Sequence, residues 1–423
     1  MATDNSTSAN GSIMVVGGGI SGLTTALEAA EVGYEVFLIE KEPYLGGRVA
    51  QLNQYFPKLC PPSCGLEINY RRIKDNRNIR TYTMAEVEKV EGGPGGYKVS
   101  VQINPRFVNE NCTACGDCVA VCPAERSNSF NFGMDKNKAI FKSTDMAFPM
   151  RYAIDGAACK GTSCNKCVEV CQYNAIDLDM KPKVIELHVG SIVWATGWEP
   201  YDATKIDNLG FGKYKNIITN MMLERLASPN GPTQGRIVRP SDEKAPESVA
   251  FVQCAGSRDE NHLPYCSYIC CMASLKHATY IRERYPEAKI YIFYIDLRTP
   301  GYRYEKFYNK IKQDPNVFFV KGKVAEVKEA AGSNITVVAE NAVTGEKTEQ
   351  TVEMVVLATG MQPTAARKKL PADLKYNEDG FVLNDFDKGG MFAAGCANKP
   401  LDVVSSNQNA TGMALKAIQT LKR

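Results

Sequence analysis

The sequence is poor in the side chains that most mononuclear metal sites use. Of its 423 residues only three are histidine: His188, His262 and His277. A histidine-ligated haem or a zinc–histidine centre is therefore not expected. No apolar run approaches the roughly 18 residues of a membrane-spanning helix. The stretch from Met1 to Gly11 is small and polar, lacks the basic start and apolar stretch of a secretory signal, and reads as a lead-in to the first strand. A net charge of only +3 removes a strong pull towards nucleic acid or an anionic membrane surface. No catalytic triad is visible, and no side chain stands out as a classical acid–base catalyst, so no catalytic residue is assigned.

What the sequence does hold is cysteine, 15 in all. In a long chain without a secretory signal that number points to metal or redox chemistry rather than disulfides. Apolar residues make up 44% and charged residues 23%, ordinary for a globular protein of two or three domains.

The first motif is a βαβ unit. Ser12 to Val16 is a short apolar run that reads as a buried parallel strand, Ile20 to Val32 has helical periodicity, and Glu35 to Ile39 is a second buried strand closing in Glu40. Between strand and helix lies Gly17-Gly18-Gly19-Ile20-Ser21-Gly22, a G-x-G-x-x-G with its glycines at 17, 19 and 22. The first glycine permits the tight turn, the second lets a pyrophosphate approach the backbone, and the third lets the helix pack on the strand. The helix start offers free N–H groups to phosphate, and Glu40 is placed for ribose hydroxyls.

The second motif is a cysteine-dense segment between two strands, Tyr97 to Ile103 and Lys183 to His188, that read as a meander. Cys112, Cys115, Cys118 and Cys122-Pro123 follow C-x2-C-x2-C-x3-C-P, the bacterial ferredoxin run. Cys159, Cys164, Cys167 and Cys171 form a second run with a longer first gap and no proline. Crossing the fourth ligands gives one [4Fe–4S] cluster on Cys112, Cys115, Cys118 and Cys171, and another on Cys159, Cys164, Cys167 and Cys122. Zinc would favour paired C-x2-C blocks instead. A module inserted in a surface loop is tolerated because closure entropy grows slowly with loop length.

Two further cysteine groups stay open. Cys254, Cys266, Cys270 and Cys271 could hold a third cubane, act as a redox pair or simply be buried. Cys60 and Cys64, in Cys-Pro-Pro-Ser-Cys, could be a redox pair, a contact to a partner's cluster, or structural. A second α/β unit begins near Val249, but Gln253-Cys254-Ala255-Gly256-Ser257 follows where a second glycine fingerprint would stand. Pro229 to Pro246 reads as an inter-domain linker.

Lys41 to Leu45 and Gly46-Gly47-Arg48 resemble the segment that wraps the FAD diphosphate in flavoproteins with two dinucleotide-binding domains, where Arg48 would add charge. Ala195-Thr196-Gly197 and Ala358-Thr359-Gly360 resemble strand-end turns of that family. Met391 to Gly395 resembles its late FAD motif, with Cys396 where aspartate is usual. The expected fold is α/β, thioredoxin-reductase-like, with an inserted α+β ferredoxin. Its expected parts are a first FAD-domain segment (12–104), the insert (105–182), a second FAD-domain segment with linker (183–245), a degenerate second Rossmann-like domain (246–350) and a third FAD-domain segment (351–423).

With the block from Val252 to Met272, which carries Val252-Gln253-Cys254-Ala255-Gly256-Ser257-Arg258 and Tyr265-Cys266-Ser267-Tyr268-Ile269-Cys270-Cys271, the whole resembles the A-subunit family of heterodisulfide reductases. Longer members carry a further N-terminal domain and a C-terminal ferredoxin, and this chain is expected to be of the short form. That form resembles the A-subunits of quinone-interacting membrane-bound oxidoreductases of sulfate reducers. The resemblance implies FAD, electron relay between menaquinol and adenylylsulfate (APS) reductase, a second flavin/iron–sulfur subunit and a haem-containing membrane subunit. It implies a cytoplasmic protein that meets the membrane only through partners. The alternatives are a soluble heterodisulfide-reductase-type subunit that bifurcates electrons, an NAD(P)H-dependent disulfide-type flavoreductase, which the missing second fingerprint disfavours, and a scaffold with inert clusters.

Overall fold

The computed structural model describes residues 11–342 and 344–422. The expected lead-in therefore lies outside the described residues except for Gly11.

The first domain is built on a five-stranded parallel sheet, ordered Met391–Ala393, Ser191–Trp194, Ser12–Val16, Glu35–Glu40, Ile79–Thr83. Its central strands are apolar on both faces because helices cover one face and a meander covers the other. Ile13 and Val15 point into the helical core with Leu23 and Leu27, while Met14 joins Val99, Val101 and Trp194 under the meander. The helix Ile20–Glu31 packs on the closing helix Val403–Leu421, and Thr25 Oγ1 donates to the Ala410 carbonyl at 3.4 Å. Small side chains at this crossing let the two backbones approach closely.

The meander runs Ala85–Gly93, Gly96–Ile103, Lys183–Val189, and its last two strands pair from Ile103 with Lys183 to Tyr97 with Val189. The insert therefore leaves and returns through two residues already opposite one another, so it interrupts one hairpin without disturbing the sheet. Inside it, Asn109 N–H donates to Ala175 O and Asp177 N–H to Phe107 O, closing a second ribbon at its base. Its core is five buried residues, Val108, Cys118, Ile140, Ile154 and Ala175, with five more cysteines packed around them. A core this small needs staples or metal to hold its shape.

The second domain carries a seven-stranded sheet, ordered Ile217–Thr219, Met354–Thr359, Ser248–Ala255, Lys289–Tyr294, Val317–Glu329, Ile335–Asn341, Lys347–Val352. The first five strands are parallel and the last two add an antiparallel flap. Two strands fall elsewhere than the sequence boundaries put them. Ile217–Thr219 and Met354–Thr359 lie in segments expected in the first domain, but they pair with each other and belong to the second sheet. The chain crosses between domains at Trp198–Pro200 and Met361–Pro363, which form one antiparallel pair. The Pro/Gly-rich stretch 229–246 is a loop of the second domain, anchored by fully buried Ile237 in that domain's core.

Arg225, 1% exposed, joins the three parts. Its Nε donates to Asn131 Oδ1 of the insert at 2.8 Å, Nη1 to the Gln51 carbonyl of the first domain at 3.3 Å, and Nη2 to the Asn230 carbonyl of the second at 3.0 Å. The guanidinium also lies 4.7 Å from the centre of the Phe130 ring. Arg225→Met should lower the unfolding free energy by about 2–3 kcal/mol, since bonds to charged groups carry about that much. Denaturant melts would read the loss, and limited proteolysis should then cut first within 105–182.

Candidate functional site

A cavity of about 1100 Å³ opens at the carboxyl ends of Ser12–Val16, Glu35–Glu40 and Ser191–Trp194. This is where open α/β sheets bind ligands. Its floor is the glycine turn. Gly17 has φ of +110°, and a Cβ there would lie 2.3 Å from the Ala195 carbonyl oxygen. A Cβ on Gly22 would lie 1.7 Å from the Gly17 oxygen, so only glycine lets the helix sit so close to the strand. A Cβ on Gly19 would meet nothing nearer than Gly47 Cα at 3.9 Å, leaving that backbone open to the cavity. The helix start is capped by Gly19 with no side-chain acceptor, so its N–H groups stay available to an anion.

Ile20, Ser21, Glu40, Lys41, Gly47, Arg48, Ala195, Thr196, Gly197 and Cys396 line the cavity with Gly17 and Gly19. Gly22, Gly46 and Gly395 stand just behind it as packing and turn residues; a Cβ on Gly395 would lie 2.1 Å from Ser21 Oγ. Gly360 is elsewhere. A Cβ there would lie 2.2 Å from Ser257 Oγ, so this glycine packs the loop of the second cysteine group. Cys396 donates its thiol to the Leu401 carbonyl at 3.4 Å, and burial pushes it up to about 11. It is a neutral donor where an aspartate would be an acceptor. Arg48 is held by Gln51 Oε1 at 3.0 Å and the Trp198 carbonyl at 3.2 Å.

Glu40 accepts from Gly18 N–H at 2.6 Å and Glu42 N–H at 2.8 Å, and burial raises its pKa to about 7. Among the described residues, the buried Trp194 Nε1 and Thr196 Oγ1 have no partner. A pair of orphaned polar atoms on a cavity wall fits a polar ligand there. Several wall residues were not legible in the sequence. Arg126, Asn128, Phe130 and Phe132 come from the insert and close the cavity from the ferredoxin side. Asp402 caps the helix Val403–Leu421 by accepting from Ser405 N–H at 2.7 Å, and aims that helix start at the same space.

In the insert, Asp117–Val121 and Lys166–Glu169 are the short helices of the two cysteine runs, and they pack together. Burial, then the Cys112 and Cys115 thiols, push Cys118 up to about 12. Burial, then Cys159, and further on Cys122, raise Cys167. Cys118 and Cys122 of the first run both lie near Cys167 of the second. Among the described residues, no three histidine, cysteine or acidic side chains approach closely enough to hold a single metal ion. Zinc would gather its sulfurs at about 2.3 Å around one point.

The second cysteine group also converges. Burial, and after it the nearby Cys254, Cys271 and Cys266 thiols, raise the Cys270 thiol well above its ordinary range. Cys254, Arg258 and Tyr268 all have φ near +60°, strained backbone that shapes this loop. The loop occupies the β-to-α turn between Ser248–Ala255 and the helix Cys270–Arg284, where a second dinucleotide's phosphates would sit. Both amide atoms of the buried Gln253 beside it lack partners. A smaller cavity of about 120 Å³ shares Arg48, Trp198 and Asp402 with the large one and reaches Tyr268 and Ile269 of this loop. Glu224, 2% exposed, lies on its wall between Lys276 Nζ at 2.7 Å and His277 Nε2 at 2.5 Å. Burial holds His277 down, so it stands as a neutral donor to a carboxylate whose counter-ion is Lys276. Cys60 and Cys64 lie outside both cavities.

Two outcomes test the large cavity. Gly22→Ala should abolish dinucleotide retention, read as bound flavin after gel filtration, because its Cβ has no room. The dinucleotide-free protein should lose roughly 3 kcal/mol of stability as pH rises from about 4.5 to about 7, because the folded state holds the Glu40 proton over that window and the unfolded chain does not. Glu40→Gln should remove that slope in pH-dependent denaturant melts.

Comparison with known proteins agrees with this geometry. Residues 15–79 match a family described as an NAD(P)-binding Rossmann-like domain, and residues 111–176 match a 4Fe-4S dicluster domain. The structure resembles thioredoxin reductase from Lactococcus lactis (TM-score 0.54, 13% identity, 97% of this chain and 99% of that one). It also resembles that of T. acidophilum (TM-score 0.51, 14% identity, covering 97% and 96%). These likenesses show the two-domain α/β fold. In sequence the chain is 40% identical over 421 residues to an iron-sulfur A-subunit of the CoB–CoM heterodisulfide reductase of Methanopyrus kandleri, covering 96% of this chain and 64% of that one. It is 36% identical over 416 residues to the A-subunit of the H2:CoB-CoM heterodisulfide,ferredoxin reductase of Methanothermobacter thermautotrophicus, covering 96% and 63%. With the A-subunit of the ferredoxin/F420H2-dependent CoB-CoM heterodisulfide reductase of Methanosarcina acetivorans the identity is 38%, covering 99% and 54%. The chain thus spans between about half and two thirds of the length of these relatives. Along nearly all of its own length, the chain is a homologue of the heterodisulfide reductase A-subunit.

Proposed function

We propose that this chain is an electron-transfer subunit of an oxidoreductase complex, using FAD and [4Fe–4S] clusters. The carrying observation is that the cluster-bearing insert itself forms a wall of the dinucleotide cavity, through Arg126 to Phe132, a few residues after Cys122. When bound, FAD would exchange electrons in pairs and the clusters singly. The chain's own residues hold and separate these groups. The N–H groups at Gly19 to Gly22 would receive the diphosphate, and Glu40 the ribose. Lys41 and Arg48 would add positive charge, and Ala195 to Gly197 would bound the ring end. Cys112, Cys115, Cys118 and Cys171 would hold one cluster, and Cys159, Cys164, Cys167 and Cys122 the other.

A third cluster would sit on Cys254, Cys266, Cys270 and Cys271, at the start of the fifteen-residue helix Cys270–Arg284. The convergence of these four thiols and the orphaned Gln253 amide support it. So does the small cavity, which adjoins the large one at Arg48, Trp198 and Asp402 and reaches Tyr268 and Ile269 of that loop. Cysteines at the second βα turn also disfavour an NAD(P)H site there.

The finer reading is a quinone-linked membrane complex in sulfate respiration. The chain would relay electrons between menaquinol and APS reductase beside a second flavin/iron–sulfur subunit. Among the described residues no helix is long and apolar enough to cross a membrane, so a haem-containing membrane subunit would make that contact on the cytoplasmic side. The names of the relatives favour a second reading, a heterodisulfide-reductase-type complex, in which the chain would take part in electron bifurcation. Reduction of the intact complex by a menaquinol analogue supports the first reading; reduction only by ferredoxin or hydrogenase partners supports the second.

Anaerobic protein should carry about eight irons per FAD from the two insert clusters and about twelve with the third. Near-zero iron with intact flavin would overturn the assignment. Cys122→Ser should perturb the cluster of the second run and not its own, seen by EPR in a reductive titration. NAD(P)H should fail to bleach the flavin.

A further inference from the structure

Cys60 and Cys64 belong to none of the three cluster sites, yet the fold places them with care. Tyr55 and Cys60 form an isolated antiparallel bridge, in which Tyr55 N–H donates to the Cys60 carbonyl at 3.1 Å. Leu59, at φ of +55°, turns the chain into that bridge. Pro61 then caps the fourteen-residue helix Pro62–Asp75, and Cys64 N–H donates to the Pro61 carbonyl at 3.1 Å. Cys60 is thus the residue just before the cap, and Cys64 is in the first turn. A side chain at the position before the cap is set to lie back towards the fourth helical residue, here Gly65, next in the chain to Cys64. The two consecutive prolines between the thiols fix the φ angles there and leave the connecting backbone little freedom.

The Tyr55 ring covers the pair from the other side. Its hydroxyl fits only because residue 65 is glycine, since a Cβ there would lie 2.5 Å from Tyr55 Oη. Burial, then Cys64 and Cys60, raise the pKa of that hydroxyl, so both thiols face it. Cys64 is exposed and Cys60 is partly buried. One accessible thiol with a shielded neighbour is the arrangement of an attacking and a resolving cysteine. Tyr55 also lines the small cavity beside the dinucleotide site.

We infer that Cys60 and Cys64 form a thiol–disulfide exchange site for a small or flexible disulfide. The Cys64 thiolate attacks one sulfur of R–S–S–R′, the S–S bond breaks, and R–S⁻ leaves and takes up the proton that Cys64 gave to solvent. The Cys60 thiolate then attacks the Cys64 sulfur of the mixed disulfide and expels R′–S⁻, which takes up the proton of Cys60. The pair is oxidised by two electrons and the small disulfide is reduced to two thiols. Closing the bridge draws the bridge strand and the helix start together under Tyr55, which carries the redox state to the cavity wall.

The test uses the full chain with its iron and flavin, anaerobically, with oxidised glutathione as the probe. After alkylation and peptide mapping, the unaltered protein should carry a Cys60–Cys64 disulfide and have released two equivalents of glutathione. Cys60→Ser should stop at a stable glutathione adduct on residue 64. Cys64→Ser should react at least tenfold more slowly at residue 60. An adduct on Cys60→Ser that forms no faster than on Cys64→Ser would overturn the proposal, as would glutathione adducts on both cysteines of the unaltered protein without a bridge. Iron and flavin content of each variant reports that it has folded. Because those contents do not depend on the exchange site, failure here leaves the electron-transfer reading standing, and the reverse also holds.

Discussion

The insert starts at Ile103 and ends at Lys183, two residues paired across one hairpin. That constraint governs most of what the molecule can do. A module tethered at both ends to adjacent backbone atoms cannot wander far from the sheet edge that carries it, and the edge lies over the dinucleotide cavity. Two further ties fix its orientation. Arg106, 6% exposed, reaches back to Thr83 Oγ1 at 3.0 Å, and Gln51 Nε2 donates to the Phe130 carbonyl at 3.1 Å. Leaving any of these groups unpaired in the interior would cost about 1–3 kcal/mol. The insert's own core is too small to impose a position, so the ties and the hairpin set the spacing between cluster and cavity.

The two domains solve the same β-to-α turn with different residues. In the first, glycines at 17, 19 and 22 let the helix pack close against the strand, and the helix start opens on the dinucleotide cavity. In the second, cysteines at 254, 266, 270 and 271 fill the equivalent turn, and side chains with φ near +60° replace glycines. Thiols stand where phosphate would sit in a dinucleotide turn, and side chains in left-handed backbone shape the loop around them.

Spacing made the cysteine runs and the glycine turn legible in the sequence, because each is a local pattern whose chemistry needs a fixed interval. Sheet membership was not legible at Ile217–Thr219 and Met354–Thr359. Their apolar runs say "buried parallel strand", but either sheet would accept them, and only long-range pairing decides. Gly360 misled for a related reason. The Ala-Thr-Gly at 358–360 repeats the one at 195–197, yet the first ends a strand at the cavity and the second ends one against Ser257 and Ser267. Asp402, Trp198 and the insert wall carried no local signal at all, since a lone aspartate before a helix reads first as a cap.

The buried charges between the domains follow from the same demand for fixed distances. Taking Glu224, Lys276 and Arg225 out of water costs several kcal/mol per ion before pairing, and apolar side chains would pack the same space more favourably. What charge adds is direction. Glu224 accepts from Asn53 N–H at 2.8 Å, and Lys276 donates to the Gln54 carbonyl at 2.5 Å, so both bind backbone of the opposite domain at single positions. An apolar contact would allow the second domain to slide or rotate over the first. These bonds allow one docking only, and it is the docking that keeps the small cavity between the dinucleotide site and the second cysteine group. The electron relay proposed for this chain would gain little from perturbed catalytic groups. It gains from separations that do not change, and electrostatic pins that cost stability are a physically reasonable way to hold them.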